Sequence, residues 1–268
     1  MAKSRAEAKA RAFESLVVER RGAVLTIGLD RPHKRNAINE ATIDALERVV
    51  SDIADDVRAM VLHGLGPNFS AGLDLNGVGD RDVAAAVRHS RAWHRCFEKI
   101  EFGPTPVVAV LKGAVIGGGL ELACAAHIRV AEPSAYFALP EGQRGIFVGG
   151  GGSVRVPRLV GVARMMDMML TGRVYSAQEG LPLGFSQYLV DDGAGYAKGL
   201  ELAHKMAGNA PLTNFAVIQA LPRIAEADPR IGYVMESLMA ALAQSAPEAK
   251  ARVRAFLEKR AAKVERPD

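Results

Sequence analysis

The apolar positions of this chain switch repeatedly between the two-residue rhythm of strands and the three-to-four-residue rhythm of helices. Residues 15–30, SLVVERRGAVLTIGLD, set two β-branched runs around Arg20-Arg21-Gly22 and predict a hairpin. A helix is predicted from Glu40 to Ala54, and residues 58–63, RAMVLH, predict a buried parallel strand with His63 at its end. A turn of small residues follows, Gly64 to Leu75, GLGPNFSAGLDL, and a helical pattern then runs over residues 81–101 through Val83, Val87, Trp93 and Phe97. The same unit returns from Val107 to Ala126, VVAVLKGAVIGGGLELACAA: an apolar strand, three glycines, and a helix with Glu121 in its first turn.

Residues 128–132 predict a short strand, and Tyr136 to Leu139 another that ends at Pro140-Glu141. Gly149 to Gly152 form a third glycine turn before a helix near Val154 to Val160. Helices at Arg164–Leu170 and Ala177–Gly180 follow, the second with a capping box, Ser176-x-x-Glu179, and residues 186–191 read as an apolar strand. From about Ala194 strand signals fade, and Pro211, Pro222, Pro229 and Pro247 divide a helical region. Strand, glycine turn and helix met twice in succession indicate an α/β class. Each unit delivers its turn to the same side of the sheet, so the two turns can face one pocket.

The length of 268 residues suits one large domain or a domain with an appendage, and a 49% hydrophobic content allows a sizeable core. A net charge of +4 is too mild to point to nucleic acid and suits an anionic small molecule. Apolar stretches are interrupted by Gly, Lys or Arg, which predicts no membrane span. Cys96 and Cys124 form no disulfide framework or metal-site spacing and read as reduced packing residues of a cytoplasmic protein. The start, MAKSRAEAKARAF, lacks an apolar signal core and reads as a short solvated helical tail, with a transit peptide as the alternative.

Two carboxylates, Glu121 and Glu141, flank stretches that should be buried, where a carboxylate is costly unless partnered or used. If they converge on one water, they can hold it and exchange protons with it. The glycine turns around Leu73 and Gly118 leave backbone N–H groups unpaired, as helix starts do. Two such donors suit a carbonyl oxygen that gains negative charge. The plainer reading is a tight strand-to-helix turn whose first-turn Glu serves the helix dipole. The chemistry these groups permit runs through an enolate: water addition to a conjugated carbonyl, proton shifts, or the reverse reactions. In the loop Arg31-Pro32-His33-Lys34-Arg35, four cationic or potentially cationic side chains can meet phosphates, although each taken singly reads as solvated. His63 reads as structural.

The segments GAVIGGGLELA, FSAGLDL, FALPEGQRGIFVGGGGS and RAFLEKR, in that set of places, closely resemble the crotonase superfamily and within it the enoyl-CoA hydratases. The resemblance runs from about Val17 to Lys263 and implies an α/β fold, a crotonase-like spiral of ββα units with a C-terminal helical trimerisation region. The expected division is a basic tail at 1–14, a spiral core with the active site at 15–195, and a helical oligomerisation region at 196–268. Homotrimers, often paired into hexamers, are implied. So is an acyl-CoA thioester substrate whose coenzyme A is part of the substrate, with no separate cofactor and no metal.

Residue by residue, the resemblance gives the oxyanion hole to the N–H groups of Leu73 and Gly118 and the catalytic pair to Glu121 and Glu141. Gly149 matches the glycine on the water side of the pocket, and Ala71 and Leu75 match positions near the adenine. Phe256 and Lys259 match the aromatic and lysine that meet the CoA nucleotide, often from a neighbouring subunit. The implied reaction is hydration of an enoyl-CoA to a 3-hydroxyacyl-CoA, with Glu121 as base and Glu141 as acid. Enoyl-CoA isomerisation or retro-aldol cleavage of a specialised acyl-CoA is the alternative, and an RNA- or partner-binding homologue is a further one. The chain departs from the common pattern at Leu73 (often Ala), Leu139 (often polar), Val148 (often Pro) and His127 (often Asp, read here as structural), which bears on acyl specificity.

Overall fold

The computed structural model describes residues 11–76 and 81–260. The chain divides into two compact units, one reaching to Ala207 and one beginning at Gly208. In the first unit the predicted hairpin forms: β2 (Leu16–Arg21) and β3 (Val24–Leu29) pair antiparallel. Most of the tail, residues 1–10, lies outside the described residues. Arg11–Phe13 is not helical but a strand, β1, because its backbone extends the hairpin antiparallel along β2.

Parallel pairing carries the sheet onward from β3 through β4 (Ala59–Gly64) to β5 (Val107–Leu111). The apolar run from Val107 reads as one strand but folds as two. Gly113 breaks it at φ +52°, where an added side chain would strike Pro67 O, and the chain enters β6 (Ala114–Ile116) in a second sheet. β7 (Ile128–Ala131) returns beside β5. β8 (Tyr136–Ala138) and β9 (Tyr175–Ser176) join β6 to make a three-stranded sheet, and β10 (Tyr188–Leu189) closes a seven-stranded one in the order β1-β2-β3-β4-β5-β7-β10.

The helices of this unit are α1 (Glu40–Ser51), α2 (Val83–Glu101), α3 (Gly118–Ala125), α4 (Gly152–Val160), α5 (Val162–Thr171), α6 (Ala177–Leu183) and α7 (Gly195–Ala207). The capping box at Ser176 and Glu179 is present at the start of α6. β4 and β5 read as unbroken apolar runs because both faces of the sheet are covered. Met60, Leu62, Ala109 and Leu111 pack with Leu46, Phe97 and Leu120 on one face. Val61, Val108 and Val110 pack with Leu202 and Ala203 of α7 on the other. At Gly199 an added Cβ would stand 2.5 Å from Val110 Cγ2, so the missing side chain lets α7 lie close to the sheet. That packing carries the first unit to Ala207, beyond the boundary expected near residue 195.

The second unit contains α8 (Pro211–Phe215), a π-helical turn at Ala216–Ala220, α9 (Leu221–Glu226), α10 (Pro229–Ser245) and α11 (Pro247–Leu257). Each of the four α-helices carries one of the four prolines at its first or second position, where the missing N–H is not needed.

Candidate active site

The two glycine turns lie side by side. The segment Phe69–Ser70 hydrogen-bonds along β6: Phe69 N donates to Lys112 O at 2.7 Å, Ser70 N to Ala114 O at 2.8 Å, and Ile116 N to Ser70 O at 3.1 Å. Gly72, at φ +87°, can follow because a Cβ there would sit 2.5 Å from Ile116 O. The next residue, Leu73, therefore presents its N–H beside the start of α3, 3.4 Å from where a Cβ on Gly118 would be. Among the described residues, neither Leu73 N nor Gly118 N has a protein acceptor. Both residues line one cavity of about 510 Å³, whose wall also holds Glu121 and Glu141. The four residues that the sequence singled out for chemistry are thus brought together.

Glu121 is buried one turn into α3, and the Gly149–Gly152 loop holds it in place. Gly150 N and Gly152 N donate to its Oε1 at 2.8 and 2.7 Å, leaving Oε2 for a ligand. Gly152 has to be glycine for this approach, since its Cβ would stand 2.7 Å from Glu121 Cγ. Ser90 Oγ donates to Gly149 O at 2.6 Å, and Arg155 Nη1 donates to Gly150 O at 2.9 Å. Burial raises the Glu121 pKa, against the N–H groups of Gly152, Gly150 and Gly149 and the Arg155 guanidinium, which lower it.

Glu141 follows β8 and is buried at the opposite wall; its Oε2 has no hydrogen-bond partner in the protein. Its Oε1 lies 2.5 Å from where a Cβ on Gly117 would be, so the missing side chain makes the room it occupies. Burial, reinforced by the charge of Glu121, raises its pKa from 4.5 to about 7. Near neutral pH this carboxyl exchanges its proton readily, which a solvent-exposed glutamate does not do.

Trp93 of α2 closes the floor. Its six-membered ring comes within 2.5 Å of a Cβ built on Gly118 and 3.0 Å of one built on Gly150. From there Val83, Ala86 and Val87 of α2 face Ile146, Phe147 and Val148 across an apolar passage open to solvent. Trp93 was visible in the sequence only as a helical core position, and the passage was not legible at all. Its signal is the spacing of Val83, Ala86, Val87 and Ser90, one row on a helix.

Of the other expected residues, Gly149 lines the cavity. Ala71 is part-buried in the turn, its N–H on Arg35 O at 2.9 Å, and Leu75 is exposed just beyond Asp74. Phe256 and Lys259 belong to the second unit, exposed at and just past the end of α11. Arg31 of the basic loop is not a solvated cation. It is held by Asp74 at 2.9 Å and by Ala37 O at 2.6 Å, while His33, Lys34 and Arg35 are exposed. His127 is structural: Val107 N donates to its Nδ1, its Nε2 lies 3.0 Å from Glu101 O, and burial lowers its pKa to about 4.

A crossover α/β core that sets two free N–H groups and two buried carboxylates around one cavity is the arrangement of the crotonase superfamily. The chain matches the enoyl-CoA hydratase/isomerase family over residues 19–267 and belongs to it. It is 30% identical to the short-chain-enoyl-CoA hydratase of Clostridium acetobutylicum over 92% of this chain and 96% of that one. It is 32% identical to the 2,3-dehydroadipyl-CoA hydratase of Escherichia coli K12 over 92% and 97%. Among solved structures, the enoyl-CoA hydratase of Bacillus anthracis superposes with a TM-score of 0.86 at 30% identity, over 92% of this chain and 97% of that one. A crystal structure from Rhodopseudomonas palustris CGA009, provisionally described as an enoyl-CoA hydratase, does so with a TM-score of 0.90 at 64% identity, over 94% and 98%.

Proposed function

We propose that this protein is an enoyl-CoA hydratase that adds water across the 2,3 double bond of an enoyl-CoA to give a 3-hydroxyacyl-CoA. The observation that carries this reading is the placing of Glu121 and Glu141 on one cavity with the free N–H groups of Leu73 and Gly118. The thioester oxygen accepts from both N–H groups, which drain charge from the double bond as the enolate forms; one such donor is typically worth about 3 kcal/mol. A water held between the carboxyls gives its proton to Glu121 Oε2 while its oxygen bonds to C3. Glu141 then delivers a proton to C2. The two carboxyls titrate as a pair, so the productive form has one proton between them. A pKa near 7 suits Glu141 to be the holder of that proton. An isomerase needs only one shuttling carboxyl, so the presence of both favours hydration.

The apolar passage beside Val83, Val87 and Phe147 supports an apolar acyl group, and Ala71, Leu75, Phe256 and Lys259 are assigned to the CoA moiety on the resemblance alone. The exposed apolar side chains Tyr233, Val234 and Leu238 of α10 support burial against further copies, in keeping with a trimer or hexamer. Two buried free cysteines support a reducing, cytoplasmic location. Among the described residues no helix is long and apolar enough to cross a membrane. The test is steady-state loss of enone absorbance on crotonyl-CoA and on longer, branched and aromatic enoyl-CoAs. Turnover should be lost by about two orders of magnitude or more in Glu121→Gln and in Glu141→Gln. A protein that binds these thioesters but turns none over would refute the assignment.

A further inference from the structure

Arg155 has no place in the reaction just described, yet it is among the few buried charges of the chain. It rises from the first turns of α4 and is held at both ends of its guanidinium. Nε sits 2.6 Å from Glu101 Oε2, at the end of α2, and Nη1 donates to Gly150 O at 2.9 Å. The room for Nη1 is made by Gly151, at φ +97°, where any Cβ would overlap it. Gly150, whose carbonyl Arg155 holds, and Gly152, in the same helical turn as Arg155, are the two residues whose N–H groups grip Glu121 Oε1. The chain of contacts therefore runs from Glu101 through Arg155 and the Gly150–Gly152 backbone to Glu121, linking α2, α4 and α3.

We propose that Arg155, anchored by Glu101, is a positioning residue for the reaction: it locks the Gly150–Gly152 backbone so that Glu121 keeps one rotamer, with Oε2 turned to the cavity. The proposal rests on the hydratase reading for its kinetic consequences but not for its structural one. The guanidinium also acts through its charge on Glu121, which favours the ionised form of that carboxyl. Other titratable groups near this chain include Glu141 across the cavity, Cys124 on α3 with Arg129 beside it, and His94 on α2 with Arg91 and Glu98. A buried arginine is a rigid way to hold a carbonyl, because its fork fixes two partners at once; a lysine would hold the charge without the fork.

The experiment uses the full chain with Arg155→Met, Arg155→Lys and Glu101→Gln, each alone and combined with Glu121→Gln. Hydrogen exchange of the Gly150 and Gly152 amides is read by mass spectrometry on the peptide that carries them. Exchange there should speed up by about tenfold or more in Arg155→Met while the peptides of β4 and β5 stay protected. Crotonyl-CoA hydration should lose about a hundredfold in kcat with KM little changed, the size expected for a reacting group displaced by about an ångström. Arg155→Lys should recover part of the loss. In the Glu121→Gln background the same substitutions should add less than about threefold, because the group they position has been removed.

A loss that multiplies in full through the Glu121→Gln background, or loop amides that exchange at the wild-type rate, would overturn the proposal. Should Arg155→Met fail to fold, Glu101→Gln, a change at a partly exposed helix end, carries the same comparison. If the wild-type protein hydrates no thioester, the hydratase reading fails, and the exchange measurement still decides whether Arg155 locks the loop.

Discussion

Replacing Glu141 by Gln tests the electrostatics of the cavity through stability as well as turnover. The Glu141 carboxyl is lifted from 4.5 to about 7, chiefly by burial and then by the charge of Glu121. Between those two values the folded protein holds a proton that the unfolded chain has released, so stability falls as pH rises through the interval. At about 1.4 kcal/mol per pKa unit the loss approaches 3 kcal/mol by pH 8 and is under about 1 kcal/mol at pH 5. Gln copies the neutral carboxyl in size and cannot ionise. Its amide inherits a site where Glu141 Oε2 has no partner, a cost present at every pH that cancels when two pH values are compared.

The expected outcome is therefore a pH-dependent gain. The melting temperature of Glu141→Gln minus that of wild type should be higher at pH 8 than at pH 5 by several degrees, roughly 2–4 °C per kcal/mol for a chain of this size. Hydration should fall at least a hundredfold in the same variant, so that stability and activity move in opposite directions. Wild-type hydration should itself decline on the alkaline side of about pH 7, where Glu141 loses its proton. In Glu121→Gln, which removes a charge that helps raise Glu141, the stability difference should shrink. A melting-temperature difference that is the same at pH 5 and pH 8 would refute the reasoning, whatever happens to turnover.

Gly152→Ala should lower kcat by about a hundredfold and also destabilise by about 1–3 kcal/mol, since the new Cβ meets Glu121 Cγ at 2.7 Å and turns the carboxyl off its two N–H donors. Val87→Trp should abolish turnover of long or aromatic enoyl-CoAs while sparing crotonyl-CoA, because it fills the passage and not the catalytic end; equal losses on both would argue against Val87 as an acyl contact. Gly150→Ala should destabilise by about 1–3 kcal/mol through overpacking on Trp93 at 3.0 Å and Phe97 at 3.1 Å. Trp93→Phe, which takes away the clashing Cε3 edge, should relieve part of that cost in the double variant, as chemical denaturation would show.

Most of the fold was legible because long periodic segments dominate it. The hairpin, α1, α2 and the proline-led helices of the second unit lie where the spacing put them. The single strand expected from Val107 was misread because its break is a matter of one backbone angle at Gly113, flanked on both sides by residues that suit a strand. Arg11–Phe13 was misread because an edge strand takes its stability from its neighbour and leaves little periodic trace. At the site, glycine clusters beside Glu121 and Glu141 announced unpaired N–H groups and costly carboxylates. They did not show which glycine clears which neighbour. Gly117 makes room for Glu141, Gly118 for Trp93, Gly151 for Arg155 and Gly152 for Glu121, and each pairing is long-range. Arg155 is not singled out by the sequence, because nothing local marks a cation whose partners come from α2 and from a preceding loop.

The acyl passage was missed for a different reason, and that reason carries over to other chains. Val83, Ala86, Val87, Ser90, Trp93, Phe97 and Ile100 make one continuous stripe along α2, and periodicity treats the whole stripe as core. In the structure only its C-terminal half is core: Trp93, Phe97 and Ile100 are buried, whereas Val83 is 82% exposed and Val87 55% exposed. The stripe outruns the body it packs against. Apolar side chains left exposed on a stripe that is buried further along the same helix have no folding reason to be apolar. Here they stand opposite Ile146 and Phe147, on the same cavity as Glu121 and Glu141. On the proposed hydratase reading, the overrun is the wall against which an apolar acyl chain is covered, while the chemistry sits on α3 and the glycine turns. Because wall and chemistry belong to different elements, substitutions at Val83 or Val87 can change the acyl group accepted without moving either carboxylate.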